Sequence, residues 1–301
     1  MRIFTSGLLC VFAASANLQA YDFSAADDLF TNRGEGPPTA ALATQAYTTA
    51  LGQTSGEDKI YAAVQIGRLA LLQGVMYEKK IPVDVRKKTL DACLDAMDAI
   101  KSPRQEYYYF ALSCIGARGK LATNLIERFI YARKMSAIQT DALKSTQDTD
   151  SRYVGGFEAG GILRVLAAVR GNPQARAVGL YNPEEALQFA NAAVAARGGN
   201  YRPFKDFVSG QTYWDNHYYL GQATVALALE KSNKELVLQG RQKMLSTLSV
   251  IQEMEDDESL SLDRKPEVTY YRTMMQKLAD QVFICTQQEA WTACLKKAME
   301  E

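Results

Sequence analysis

The sequence predicts an all-α fold, a tetratricopeptide-like solenoid or bundle of helix hairpins, on three observations. Apolar residues recur at helical spacing almost throughout, and no segment alternates apolar and polar positions as a half-buried strand does. Alanine, the best helix former, is abundant. Glycine and proline are scarce, 20 and 8 in 301 residues, and the glycines gather where helices are expected to stop or touch. A composition 47% hydrophobic and 23% charged belongs to a globular chain rather than a disordered one. The 34 basic side chains against 34 acidic ones leave no overall electrostatic footprint for nucleic acid or a polybasic membrane contact. A single histidine, His217, excludes any metal site that needs two imidazoles.

In chain order, residues 1–20 read as a secretory signal peptide. Arg2 supplies the positive start, GLLCVFAA the apolar stretch, and Ala16 or Ala20 a small residue for cleavage. Cleavage after Ala20 is favoured, with Ala16 as the alternative, and the apolar stretch is too short to span a bilayer. Cys10 follows Leu9, where a lipoprotein signal needs a small residue, so an exported protein is expected rather than a lipoprotein. Residues 21–301 are expected to form one all-helical domain. Helices are expected over 23–31, 38–51, 57–78, 83–100, 104–118, 120–135, 137–147, 154–170, 183–197, 213–231, 234–255, 267–287 and 289–300. Asn182-Pro183-Glu184-Glu185 combines an N-cap, a first-turn proline and two acids at the positive helix end. Pro82 and Pro103 mark other starts, and Gly198-Gly199 marks a stop. Two irregular stretches, 198–212 and 253–265, interrupt the helical body; the second is acidic and reads as a solvated loop.

Three helices share a pattern in which an apolar residue is followed by a small one. They are Ala63-x-x-Ile66-Gly67-x-x-Ala70, Tyr107-x-x-Phe110-Ala111-x-x-Cys114 and His217-x-x-Leu220-Gly221-x-x-Thr224. In a tetratricopeptide first helix the small residue lets a neighbouring helix approach closely. The spacing here is not that of a tandem array, so helix pairs are expected but a regular repeat is not. Four cysteines remain once Cys10 is removed, an even number in an exported chain. Three pairings are open, and spacing favours Cys93–Cys114 and Cys285–Cys294, because each pair straddles a break between two helical patterns. A structural zinc is disfavoured by the absence of C-x-x-C.

Motifs for chemistry are sparse. Gly116-Ala-Arg-Gly119-Lys120 is followed by Leu121, where a phosphate loop needs Ser or Thr. Gly155-Gly156 and Gly160-Gly161 read as helix contacts rather than a nucleotide site. A Ser–His–Asp arrangement has to use His217 with a serine such as Ser209 and Asp215 or Asp206, without the usual nucleophile elbow. Asp148-Thr-Asp150 lacks the rest of a calcium loop, and Glu158 with Asp150 is the one carboxylate pair of interest. No catalytic residue and no cofactor is expected. Consecutive aromatics are more informative: Tyr107, Phe110, Tyr213, Trp214, His217 and Tyr218 are expected to line a groove between helices. Arg164 is read either as an anion anchor in that groove or as a buried partner of Glu158.

The order of these blocks over most of residues 105–285 resembles the T component associated with tripartite ATP-independent periplasmic (TRAP) transporters. The similarity is carried by the aromatic helix 107–117, by RYVGGFEAGGILRVL from Arg152, and by GLYNPEEALQFANAA from Gly179. It continues through 216–226 and 236–248 and closes with the basic helix 271–283. The resemblance implies a bundle of cryptic tetratricopeptide-like hairpins that oligomerises, docks a periplasmic solute-binding subunit and offers an apolar passage to a small organic ligand. The lipoprotein signal of many relatives fails here, and Asn172-Pro173 stands where a Pro-Gly-Gly-Asp turn is common. A scaffold binding other envelope proteins, with no small-molecule ligand, is the alternative.

Overall fold

The computed structural model describes residues 21–101, 104–147, 157–158, 160–196, 214–256 and 265–300. Those residues are all-α, with no strand among them. The signal-peptide reading falls outside the described residues, as does the whole of the glycine- and aromatic-rich stretch 198–212. The helices are α1 (Ser24–Thr31), α2 (Pro37–Gln53), α3 (Gly56–Leu71), α4 (Val83–Ile100), α5 (Gln105–Lys120) and α6 (Leu125–Ser145). They continue as α7 (Gly161–Arg170), α8 (Pro183–Ala195), α9 (Trp214–Glu230), α10 (Lys234–Asp256), α11 (Lys265–Thr286) and α12 (Trp291–Glu300).

Local chemistry sets many of these bounds. Asn124 and Asn182 cap α6 and α8, their side chains accepting from the backbone N–H of Glu127 and Glu185. Pro183 occupies the first turn of α8, where its missing N–H costs nothing. Three expectations need correction, one being the helix over 154–170, which begins as α7 only at Gly161 after turns at Phe157, Glu158 and Gly160. The stretch read as separate helices over 120–135 and 137–147 is one helix, α6, because Ser136 supplies no break and the Ala132, Met135, Ala142 face stays buried across it. The helix expected to run to residue 78 leaves α geometry at Leu71 and passes through a π turn, Leu72–Met76. There Leu90 of α4 crowds the position a Gly74 Cβ would take, at 2.7 Å, and Arg86 Nε donates to the Gly74 carbonyl at 2.8 Å. Entry to α7 is abrupt: Glu158 and Gly160 both take positive φ, 54° and 84°, before Gly161.

Sequence-adjacent helices pack as antiparallel pairs, and a second set of contacts organises the pairs into two layers. The odd-numbered helices α3, α5, α7, α9 and α11 touch one another in that order, and α11 returns to touch the Leu72–Met76 turn at the end of α3. The even-numbered helices lie outside this closing inner layer. Glu267 on α11 also pairs with the buried Arg33 before α2, at 3.6 Å. The small residues of the repeated pattern serve the expected role. A Cβ on Gly67 would stand 2.6 Å from the Phe110 ring, and one on Gly221 would collide with Met244. Cys93–Cys114 joins α4 to α5 and Cys285–Cys294 joins α11 to α12, the two pairings favoured by spacing. They are compatible with an exported protein, and no helix among the described residues is long and apolar enough to cross a membrane.

Candidate functional site

The inner layer encloses a polar and aromatic hub to which each of its helices contributes. Arg68 comes from α3, Tyr109 from α5, Arg164 from α7, Asp215, Asn216 and Tyr219 from α9, and Tyr271 from α11, with Glu158 on the turn before α7. Arg164 is 2% exposed, and each of its guanidinium nitrogens has a protein acceptor. Nε pairs with Asp215 Oδ2 at 2.7 Å, Nη1 donates to Asn216 Oδ1 at 2.8 Å and to the Glu158 carbonyl at 3.0 Å, and Nη2 donates to the Tyr109 hydroxyl at 3.3 Å. The Glu158 carboxylate turns to Arg68, at 2.6 Å. Asn216 ties the hub to the outer layer by donating to the Ala193 carbonyl at 3.1 Å.

Burial governs the ionisation of this hub. It pushes the Asp215 carboxyl up to about 7, against the pull of Arg164, and the nearby Glu158 and Glu267 carboxylates push the same way. Asp215 Oδ1 is buried without a hydrogen-bond partner among the described residues. Burial likewise raises the Tyr109 phenol to about 12, and those of Tyr219 and Tyr271 further. All three phenols stay neutral at physiological pH.

Of the residues expected to line a groove, the hub brings together Glu158 and Arg164. Phe110 is 1% exposed, in a core cluster with Ile66, Cys93, Cys114 and Phe157, with ring centroids 4.8 Å from Tyr109 and 5.9 Å from Phe157. Tyr107 packs against the same cluster, half-buried and edge-on to Tyr108. Tyr218 is buried beside Tyr219 and Tyr271, at 4.9 and 6.0 Å between ring centroids. His217 is half-buried on α9, Trp214 opens that helix, and Tyr213 lies outside the described residues, as does Asp150. Sequence reasoning missed Arg68, Tyr109, Asn216, Tyr219 and Tyr271 as members of one cluster. The doublets Tyr218-Tyr219 and Tyr270-Tyr271 were the available signal, since consecutive aromatics send one ring inward whichever face is buried.

A second feature is a cleft of about 100 Å³ between α5, α6, α7 and the turn Pro173–Val178. Ile115, Met135, Val169, Val178 and Leu180 give it apolar walls, and Lys120 and Arg128 are among its lining residues. No cluster of three or more metal-binding side chains occurs among the described residues. Protein-family models, curated proteins and solved structures offer no match to this chain.

Proposed function

We propose that this chain is an accessory adaptor of a TRAP-type solute uptake system, exported to the periplasm, that docks a solute-binding subunit and holds a small organic ligand. The observation supporting this reading best is the convergence of at least one polar or aromatic side chain from each inner helix on a single hub. A layered hairpin body of this kind offers broad helix faces to a partner, and the cleft beside α5 joins apolar walls to a few polar side chains, as ligand sites do. Native mass spectrometry of protein purified from its host is expected to show a retained small molecule, and titration calorimetry a complex with a periplasmic solute-binding subunit from the same host. Repeated ligand-free protein with no affinity for such a subunit overturns the reading.

The scaffold alternative, an envelope protein that binds proteins and no small molecule, draws support from one observation. Arg164, the anion anchor of the first reading, spends its guanidinium on Asp215, Asn216, Glu158 and Tyr109. Retained ligand decides between the two.

A further inference from the structure

We infer that one end of the bundle, where the α3–α4 and α5–α6 connections meet, is a docking surface for a membrane bearing anionic lipid headgroups. Three contacts bring these segments together. Cys93 is bonded to Cys114, Arg118 Nε pairs with Asp91 at 3.0 Å, and the Tyr131 hydroxyl donates to the same carboxylate at 3.4 Å. The first halves of α4 and α6 therefore lie at the same end of the bundle, on either side of the end of α5. Both expose large apolar side chains: Val83 and Val85 on α4, and Leu125, Ile126, Phe129 and Ile130 on α6, with Ile126 76% exposed.

Charge in these segments is predominantly positive, with Asp84 the one acid that makes no ion pair among the described residues. Residues 78–91 and 118–134 hold ten lysines and arginines against four acids, in a chain whose formal charge is zero. Glu78, Asp91 and Glu127 are engaged by Arg86 and Arg118. The other eight cations, among them the exposed Lys79, Lys88, Arg133 and Lys134, make no ion pair among the described residues. Projecting aliphatic and phenyl groups on segments with an excess of unpaired cations match an interface of acyl chains beneath anionic headgroups. A second copy of this chain fits poorly, because an isologous contact sets the same cations against each other. Attachment is peripheral, since no described helix can span. The inference does not depend on the adaptor reading.

Vesicle flotation with the disulfide-bonded protein tests it. Binding is expected to vesicles of mixed phosphatidylglycerol and phosphatidylcholine, at least about tenfold stronger than to phosphatidylcholine alone, and to weaken with added salt. Ile126→Glu with Phe129→Glu, and separately Lys79→Glu with Lys88→Glu, should each lower binding by about tenfold or more while circular dichroism and melting stay unchanged, these side chains being exposed. Equal binding to both vesicles, binding to neither, or indifference to the variants overturns the inference. So does self-association of the wild type that Ile126→Glu abolishes, which assigns the patch to a second copy instead.

Discussion

Arg164 holds the hub together at the level of single atoms, and its removal strands the Asp215 carboxyl. Arg164→Met leaves the Asp215 carboxyl buried without its cation and deprives the Glu158 carbonyl and Tyr109 of a donor. A loss of about 3–5 kcal/mol is expected in urea denaturation, and Arg164→Lys should recover little of it, because an ammonium cannot reproduce the fork. Asp215 adds a pH signature. Its carboxyl is raised to about 7 in the fold, so the native state holds a proton that the unfolded chain releases in the ordinary carboxylate range. The contribution is complete at acid pH and declines as pH rises from about 4 through 7, by at most about 1.4 kcal/mol per unit. Melting temperatures across that window should fall with pH, and Asp215→Asn should flatten the profile; an unchanged slope refutes the assignment. Gly67→Ala drives a methyl into the Phe110 ring, at 2.6 Å, and is expected to cost about 1–3 kcal/mol in the same denaturation assay. The sequence pattern made Gly67 legible as a contact glycine. It left the hub's pairing unreadable, because Arg68 meets Glu158 across 90 residues and Arg164 meets Asn216 across 52. Spacing along one helix encodes its face, but not which distant face it will meet.

At the scale of elements, the hairpins were readable because an antiparallel pair places residues equidistant from its turn opposite each other. That rule located both disulfides. Replacing Cys93 and Cys114 with alanine is expected to cost about 2–4 kcal/mol, and the shorter Cys285–Cys294 loop about 0.7 kcal/mol less in the chain-entropy account. Denaturant midpoints of the two double variants check the order. The same periodic reading misplaced α6, splitting it in two, since a polar residue within a continuing apolar stripe interrupts the pattern without interrupting the helix. The Leu72–Met76 turn was also invisible, being dictated by where Leu90 of another helix arrives. α6 packs chiefly on α5, while α7 returns to α5 and passes on to α8. The exposed apolar face of α6 follows from this departure from strict stacking, which no local signal announces.

For the whole molecule, contacts between neighbours in sequence dominate, so stability should be graded along the chain rather than uniform. Amide hydrogen exchange is expected to protect α3, α5, α7 and α9 most and α12 least, since the first four lie in the inner layer and the last packs mainly on α11. Uniform protection contradicts this. Total charge was a poor guide at this scale: its zero value hides a basic end that only the meeting of two turns reveals. The all-α architecture was legible because helical periodicity is local, whereas the layer order required knowing which helices touch.

The return of α11 to the turn ending α3 carries an evolutionary consequence. An open array of helix pairs can lengthen or shorten by duplicating or losing one unit, because its last pair ends in solvent. Here the first and last inner helices meet, and Glu267 clasps Arg33 across the join. Gaining or deleting a pair would break that seam, so relatives of this chain should conserve their number of hairpins and vary instead in the lengths of the connections.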